Sequence, residues 1–284
     1  MHLQRFRASD GVALAGAVRG APDAPLIVLL HGAGQTRHAW TKAAARLEAE
    51  GFRVLLYDAR GHGESDWSQT GDYALTRYAD DLRQVLEDLD ARASLVGASL
   101  GGVSAMLTAA ARPDLIDALV LVDIAPRFSV AGVDRIRNFM AANPDGFASV
   151  EEAAEAVRAH NPGRTGGNPQ GLMRNLRRGE DGRLRWHWDP AILSEPPTAE
   201  TTRMLMHQLE RVPPHLPTLL VWGLQSDVVD EAALEDFRSR APHAETASVA
   251  HAGHMVAGDR NDAFNDIIVG FLHRAQGQTG GAAE

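Results

Sequence analysis

The sequence predicts an α/β protein with a mostly parallel central sheet, flanking helices and a helical cap insertion. Short apolar runs alternate with amphipathic segments at both ends of the chain, which is typical of a parallel sheet covered by helices. The middle of the chain lacks that alternation and holds several helical segments. The predicted organisation is therefore a core at 1–125 and 213–275, a helical cap at 126–212 and a disordered tail at 276–284.

The central predicted strands are indicated by short apolar runs, such as Leu26 to Leu30, followed by a turn. Each predicted helix rests on apolar residues at helical spacing, as at Leu75, Tyr78 and Leu82. In chain order, the core strands are expected near 3–8, 12–18, 26–30, 52–57, 93–98, 118–123, 218–222 and 244–249. The core helices are expected near 37–49, 75–90, 100–111, 231–240 and 261–274.

Composition narrows the class of protein. The net charge of −9 and the sequence pI of about 5.7 argue against nucleic acid or an anionic membrane as a partner. The absence of cysteine excludes disulfides and thiolate metal sites. The first residues lack the apolar core of a signal peptide, and no apolar run is long enough to cross a bilayer. We expect a soluble cytoplasmic protein, either a monomer or a homodimer.

The segment with the strongest functional signal reads strand, sharp turn and helix, with Gly97-Ala98-Ser99-Leu100-Gly101 at the turn. This is a G-x-S-x-G motif in the context that makes its serine a nucleophile. The turn must be tight enough to hold the serine clear of the sheet, so its neighbours two residues away must be small. The alternative is a serine that only caps the helix after a glycine turn, but the position between a buried strand and an alanine-rich helix favours the catalytic interpretation. Ser99 is therefore the predicted nucleophile.

Five motifs in order along the chain are similar to those of the α/β-hydrolase family: LIVLLHGAG, YDARGHGESDW, LVGASLGG, LVWGLQSD and AGHMVAGD. The resemblance covers nearly the whole chain. It implies the α/β-hydrolase fold, a cap over the site, and a triad in the order serine, acid, histidine. It implies no cofactor and no metal.

By this resemblance the base is His254 and the acid is Asp227, in the loop after the strand TLLVWG. Asp123 also follows a strand, and some family members place the acid there. Asp227 is favoured because WGLQSD matches the commoner pattern. His251 forms H-x-x-H with His254, but a metal site would need a third ligand nearby, so His251 is interpreted as a solvated loop residue.

The oxyanion hole requires two backbone N–H groups. One is expected from Leu100, directly after the nucleophile, and the other from the His31–Gly34 loop. The resemblance favours Ala33 over Gly34 as the second donor. His62, in the ARGHGESD segment, is expected to bond and pack within its loop without a catalytic role.

A substrate pocket is expected beneath the cap. Phe128, Trp186 and Trp188 are candidates to line it, with packing within the cap as the plainer interpretation. Trp40 and Met255 flank the oxyanion loop and His254, so they are also candidates to contact substrate. A capped apolar pocket favours a small or medium hydrophobic molecule.

The function that fits these observations is hydrolysis of carboxylic esters through an acyl-enzyme on Ser99. Hydrolysis of lactones, hydrolysis of carbon–carbon bonds and perhydrolysis would use the same triad, and fold resemblance does not choose among them. The alternative outside enzymology is a receptor-like protein that binds a ligand on the same fold.

Overall fold

The computed structural model describes residues 2–160, 169–254, 256 and 261–280. Its strands form an eight-stranded sheet and a separate two-stranded hairpin. The strands are β1 (His2–Arg7), β2 (Ala13–Arg19), β3 (Leu26–Leu30), β4 (Arg53–Tyr57), β5 (Ala93–Ala98), β6 (Ile116–Val122), β7 (Leu176–Arg178), β8 (Leu184–Trp186), β9 (Thr218–Gly223) and β10 (Glu245–Val249).

The large sheet has the strand order β1-β2-β4-β3-β5-β6-β9-β10. The pairs β1·β2 and β2·β4 are antiparallel, and every other pair in this sheet is parallel. Parallel neighbours bring their carboxyl ends to one edge of the sheet, where the loops after β3, β5, β6 and β9 meet. The predicted fold class is confirmed.

The α-helices of the described chain are α1 (Thr41–Ala49), α2 (Leu75–Asp88), α3 (Leu100–Ala111), α4 (Val130–Ala141), α5 (Val150–His160), α6 (Ala199–Glu210), α7 (Glu231–Arg240) and α8 (Asn261–Gly280). Alternate residues of the central strands point to opposite faces of the sheet. On β3, Val28 packs in the core beneath α2, α3, α6 and α7, while Ile27 and Leu29 pack beneath α1 and α8.

Two predicted boundaries require correction. Helix α6 was assigned to the cap, but Leu205 and Leu209 are buried in the same core as helix α3. The last helix extends to Gly280, whereas the folded chain was predicted to end at residue 275. The first error arises because tertiary packing, and not local polarity, decides where a helix belongs.

The cap contains a feature that the sequence interpretation missed. Strands β7 and β8 form a short antiparallel hairpin in a region that was expected to hold only helices and loops. Strands of three residues are too short to show a reliable alternation of apolar residues. The loop segment at 161–168 lies outside the described residues.

No helix in the described part of the chain has both the length and the hydropathy that a membrane span requires.

Candidate active site

Ser99 lies at the turn between β5 and α3 in a strained conformation with a positive φ of +48° and ψ of −116°. Side chains other than glycine rarely adopt a positive φ, and the strain is tolerated only where surrounding structure enforces it. Both glycines of the motif are required, because there is no room for a side chain at either position. A Cβ at Gly97 would overlap the backbone of Gly101, and one at Gly101 would overlap the carbonyl of Leu30. The predicted strained serine turn is present.

The histidine of the predicted site is bonded to an aspartate. His254 Nδ1 lies 2.7 Å from Oδ2 of Asp123, which is completely buried. The other carboxylate oxygen, Oδ1, accepts a hydrogen bond of 2.9 Å from the N–H of Gly223. Asp123 itself has a positive φ of +49° directly after β6. The structure therefore pairs His254 with Asp123.

The prediction that Asp227 is the partner of His254 is wrong. Asp227 Oδ2 instead lies 2.5 Å from Nη1 of Arg135, on the cap helix α4. Asp227 follows the end of β9 by four residues, whereas Asp123 follows β6 immediately. A carboxylate directly after a central strand stays at the sheet edge, while the longer loop carries Asp227 outward to the cap.

The strand register brings the remaining groups together. Ala98 on β5 is opposite Val122 on β6, so Ser99 and Asp123 follow paired residues on neighbouring strands. The N–H of Ser99 donates to the carbonyl of Val122 at 3.3 Å. Within the described ranges, the Ser99 hydroxyl makes no hydrogen bond. The structure thus places Ser99 and the Asp123–His254 pair at the same sheet edge.

The loop after β3 lies against Ser99, since a Cβ built at Gly32 would be 3.3 Å from the Cβ of Ser99. The N–H of Gly34 is already used, because it donates to Nε2 of His62 at 3.2 Å. The N–H groups of Ala33 and Leu100 have no hydrogen-bond partner among the residues that the structure describes. This arrangement supports Ala33 over Gly34 as the donor on this loop.

Three buried histidines connect this loop to its surroundings. The ring of His62 lies 5.2 Å from that of His31 and 5.9 Å from that of His187, which belongs to the cap. Nε2 of His31 accepts from the N–H of Ala59 at 2.9 Å, and Nδ1 of His187 accepts from the N–H of Gly63 at 2.7 Å.

Because His31, His62 and His187 act as acceptors in a buried place, the neutral ring is the form that fits. Burial lowers the pKa of His31 and holds the pKa of His62 well below its ordinary value; for His62 the neighbouring histidines add to the effect. Burial also lowers the pKa of His187 to about 3. His62 therefore has the packing and bonding role expected of it.

The cap contributes an aromatic cluster above the oxyanion loop. The rings of Trp186 and Trp188 stack with centroids 4.9 Å apart, and Phe139 contacts both. Ala33 packs against this cluster from the core side. Phe128, also a predicted pocket residue, packs against the main core instead.

Trp40 does not lie under the cap. Only 2% of its surface is exposed, and it packs 5.9 Å from Phe264 in the core between the sheet and helices α1 and α8. This position corrects the prediction that Trp40 contacts substrate. Met255, also predicted in the pocket, lies outside the described residues. His251 is exposed, as expected for a solvated loop residue.

Helix α4 bridges the two sides of the site. At its start, the N–H of Ser129 donates to the carbonyl of Val228 at 3.0 Å, and a Cβ at Gly132 would overlap the carbonyl of Asp227. At its other end, Sδ of Met140 would lie 3.3 Å from a Cβ at Gly34. The helix thus spans from the loop after β9 to the oxyanion loop.

One residue at the site was missed from the sequence. Ser226 Oγ donates to Oδ2 of Asp123, the same oxygen that bonds His254. A serine in a loop has no distinctive sequence pattern. The neighbouring residue Asp227 was predicted to be the acid because it matched a family motif. In the structure Ser226 is the residue of this loop that contacts the site.

Comparison with known proteins identifies the family of this chain. A family model described as alpha/beta hydrolase fold matches residues 25–260. The chain is 32% identical over 262 residues to sn-1-specific diacylglycerol lipase ABHD11 of Mus musculus, covering 87% of this chain and 81% of that protein. It is 30% identical over 271 residues to Esterase Rv0045c of Mycobacterium tuberculosis, covering 90% of this chain and 85% of that protein.

Among solved structures, E-2-(acetamidomethylene)succinate hydrolase superposes with a TM-score of 0.82 at 25% identity, covering 96% of this chain and all of that one. A structure of the Mycobacterium tuberculosis esterase superposes with a TM-score of 0.74 at 28% identity, covering 96% of this chain and 92% of that one. These relatives are named as a lipase, esterases and a hydrolase, and the two solved structures share the overall fold of this chain. This chain belongs to the alpha/beta hydrolase fold family.

Proposed function

We propose that this protein is a serine hydrolase that cleaves carboxylic esters of small to medium hydrophobic substrates. The observation that carries the proposal is the buried Asp123–His254 pair at 2.7 Å, one strand away from Ser99 in its strained turn. A histidine bonded to a carboxylate through Nδ1 presents Nε2 as a base, which is the requirement for activating a serine hydroxyl.

In the proposed reaction, Ser99 Oγ attacks the ester carbonyl carbon and His254 Nε2 takes the hydroxyl proton. The tetrahedral intermediate collapses by breaking the bond to the alcohol oxygen, and His254 returns the proton to the departing alcohol. Water then attacks the acyl-enzyme with the same base, releasing the acid and restoring Ser99. Asp123 holds the Nδ1–H tautomer and stabilises the imidazolium that forms in each half-reaction.

The oxyanion would be held by the N–H groups of Ala33 and Leu100. Leu100 begins helix α3, so its N–H has no acceptor within the helix, and the helix dipole favours negative charge there. Ala33 directly follows Gly32, where a Cβ would lie 3.3 Å from the Cβ of Ser99. Both donors are provided by backbone, so a side-chain substitution alone would not remove them.

The substrate class rests on the cap. The cluster of Phe139, Trp186 and Trp188 provides an apolar surface that reaches Ala33. Such a surface favours a hydrophobic acyl or alcohol group beside the reacting carbonyl. The relatives are named for different substrates, a diacylglycerol and 2-(acetamidomethylene)succinate among them. A panel of p-nitrophenyl esters from acetate to octanoate, with these two compounds, would define the range.

A fluorophosphonate probe tests the mechanism directly. We expect the probe to label the wild-type protein at Ser99 and to leave Ser99→Ala unlabelled. Ester hydrolysis should fall to background in the same variant, while Ser239→Ala, a change at an exposed serine on helix α7, serves as the matched control. Equal hydrolysis by wild type and Ser99→Ala would overturn the proposal.

A further inference from the structure

The hydrogen bonds around Ser226 determine where its hydroxyl proton points. Its Oγ accepts from the N–H groups of Val228 at 3.1 Å and Val229 at 3.2 Å. With both of these donors pointing at the oxygen, the hydroxyl hydrogen is free to donate to Oδ2 of Asp123 at 2.5 Å. An ionised carboxylate can only accept, so the direction of this bond is determined.

The carboxylate of Asp123 is thereby held at three points. Gly223 N–H bonds Oδ1, while Ser226 Oγ and His254 Nδ1 share Oδ2. Two of these donors come from the end of β9 and the turn after it: Gly223 is the last residue of the strand, and Ser226 lies in the turn. The N–H of Ser226 donates to the carbonyl of Gly223 at 3.0 Å. This turn forms a cradle that fixes the rotation of the carboxylate about its side chain.

We propose that Ser226 is a positioning residue for hydrolysis, which acts by aiming Oδ2 of Asp123 at His254. The inference rests on the proposed function, because it assigns Ser226 to the acid of that mechanism. A fixed carboxylate keeps the histidine ring oriented through the reaction, and small errors in such an orientation are costly to rate. Ser226 touches neither substrate nor Ser99 in this scheme.

A purely structural role is the competing explanation, since Ser226 also satisfies the N–H groups of Val228 and Val229. A double-mutant cycle separates the two explanations. If Ser226 acts through Asp123, its removal matters only while the carboxylate is present. If Ser226 only supports the loop, its removal lowers the rate by the same factor with or without that carboxylate.

The test is the kcat for p-nitrophenyl butyrate in Ser226→Ala, Asp123→Asn and the double variant, with Ser99→Ala as the blank. Loss of a hydrogen bond to a charged group predicts about a tenfold fall in kcat for Ser226→Ala with KM within about twofold. In the Asp123→Asn background the further fall should be less than about twofold. The separate variant Ser226→Thr, which keeps the hydroxyl group, should have the wild-type kcat.

Ser129→Ala is the matched control, because Ser129 also caps a backbone N–H, that of Gly132 at 3.2 Å, beside the same loop. It should leave kcat unchanged. If Ser226→Ala does not fold, Ser226→Cys replaces it, since a thiol is a weak donor of nearly the same shape and should also lower kcat.

A wild-type kcat in Ser226→Ala (or in Ser226→Cys where it is the variant used), or an equal loss with and without the Asp123 carboxylate, would overturn this inference and leave the proposed function standing. Failure of the proposed function would show differently, as undiminished hydrolysis in Ser99→Ala.

Discussion

Asp123 and Asp227 are two carboxylates that follow neighbouring parallel strands, yet their surroundings differ. Asp123 is fully buried and accepts hydrogen bonds from Gly223, Ser226 and His254. The side chain of Asp227 is 33% exposed and pairs with Arg135, itself 57% exposed. One carboxylate belongs to the site at the sheet edge, and the other joins the cap helix to the core.

The comparison teaches that burial and the number of donors, more than the motif around a residue, decide what a carboxylate can do. A buried charged group needs hydrogen-bond partners to offset the loss of water, and these hydrogen bonds fix the orientation of the group. An exposed ion pair is screened by water and holds neither partner firmly. Substitutions at either carboxylate, and at other buried groups near the site, test this conclusion with effects that range from large to small.

The largest effect is expected at Asp123. Asp123→Asn should lower kcat/KM for p-nitrophenyl butyrate by about four orders of magnitude, because the base loses the acceptor that fixes its tautomer. Steady-state kinetics measure this directly, and circular dichroism checks that the variant is folded. A loss smaller than that of Asp227→Asn would reverse the assignment of the acid.

Burial also decides the protonation of a basic side chain near the site, that of His187. Burial lowers the pKa of His187 from its ordinary value of 6.5 to about 3. Between pH 6.5 and pH 3 the ring is therefore neutral in the folded chain, whereas in the unfolded chain it binds a proton. Stability is therefore unaffected by this group above pH 6.5 and is lost as the pH falls toward about 3. The slope is at most about 1.4 kcal/mol per pH unit for each such histidine.

Urea unfolding between pH 7.5 and pH 5 tests this expectation. His187→Asn removes the titrating ring, so the free energy of unfolding should depend less steeply on pH than in the wild type. His207→Asn, a change at an exposed histidine of helix α6, should keep the wild-type slope. Parallel slopes for wild type and His187→Asn would show that the cap histidine titrates normally.

Close contact between α4 and the loop after β9 predicts an effect at Gly132. A Cβ there would overlap the carbonyl of Asp227, so Gly132→Ala should lower the free energy of unfolding by about 1–3 kcal/mol. Gly171→Ala is the control, because a Cβ at Gly171 meets nothing within 4 Å. Equal stabilities of the two variants would mean that the helix does not dock as described.

The smallest effect is expected at Asp227. Because its ion pair with Arg135 is solvent-exposed, Asp227→Asn should change the free energy of unfolding by about 1 kcal/mol or less. The kcat of Asp227→Asn should stay within about threefold of the wild-type value, because Asp227 takes no part in the proposed proton transfer. Raising the salt concentration should narrow the difference in stability further, as screening weakens the pair.

Much of the fold could be predicted because its signals are local. The strand of Leu26–Leu30, the serine turn at Ser99 and the helix after it all follow from apolar runs, glycines and helical spacing. The β7–β8 hairpin and the place of α6 could not be read this way. Three-residue strands carry too little pattern, and the side on which a helix packs depends on residues distant in the chain.

The sequence by itself determined the central strands and the serine turn, because close backbone packing at Gly97 and Gly101 and the burial of strand residues leave few alternatives, and the family resemblance identified His254. Only the tertiary structure decided which carboxylate meets His254, which N–H groups are open at the oxyanion loop, and that Trp40 is a core residue. Each of these depends on a distance between groups far apart in the chain, and side-chain type alone does not specify such a distance.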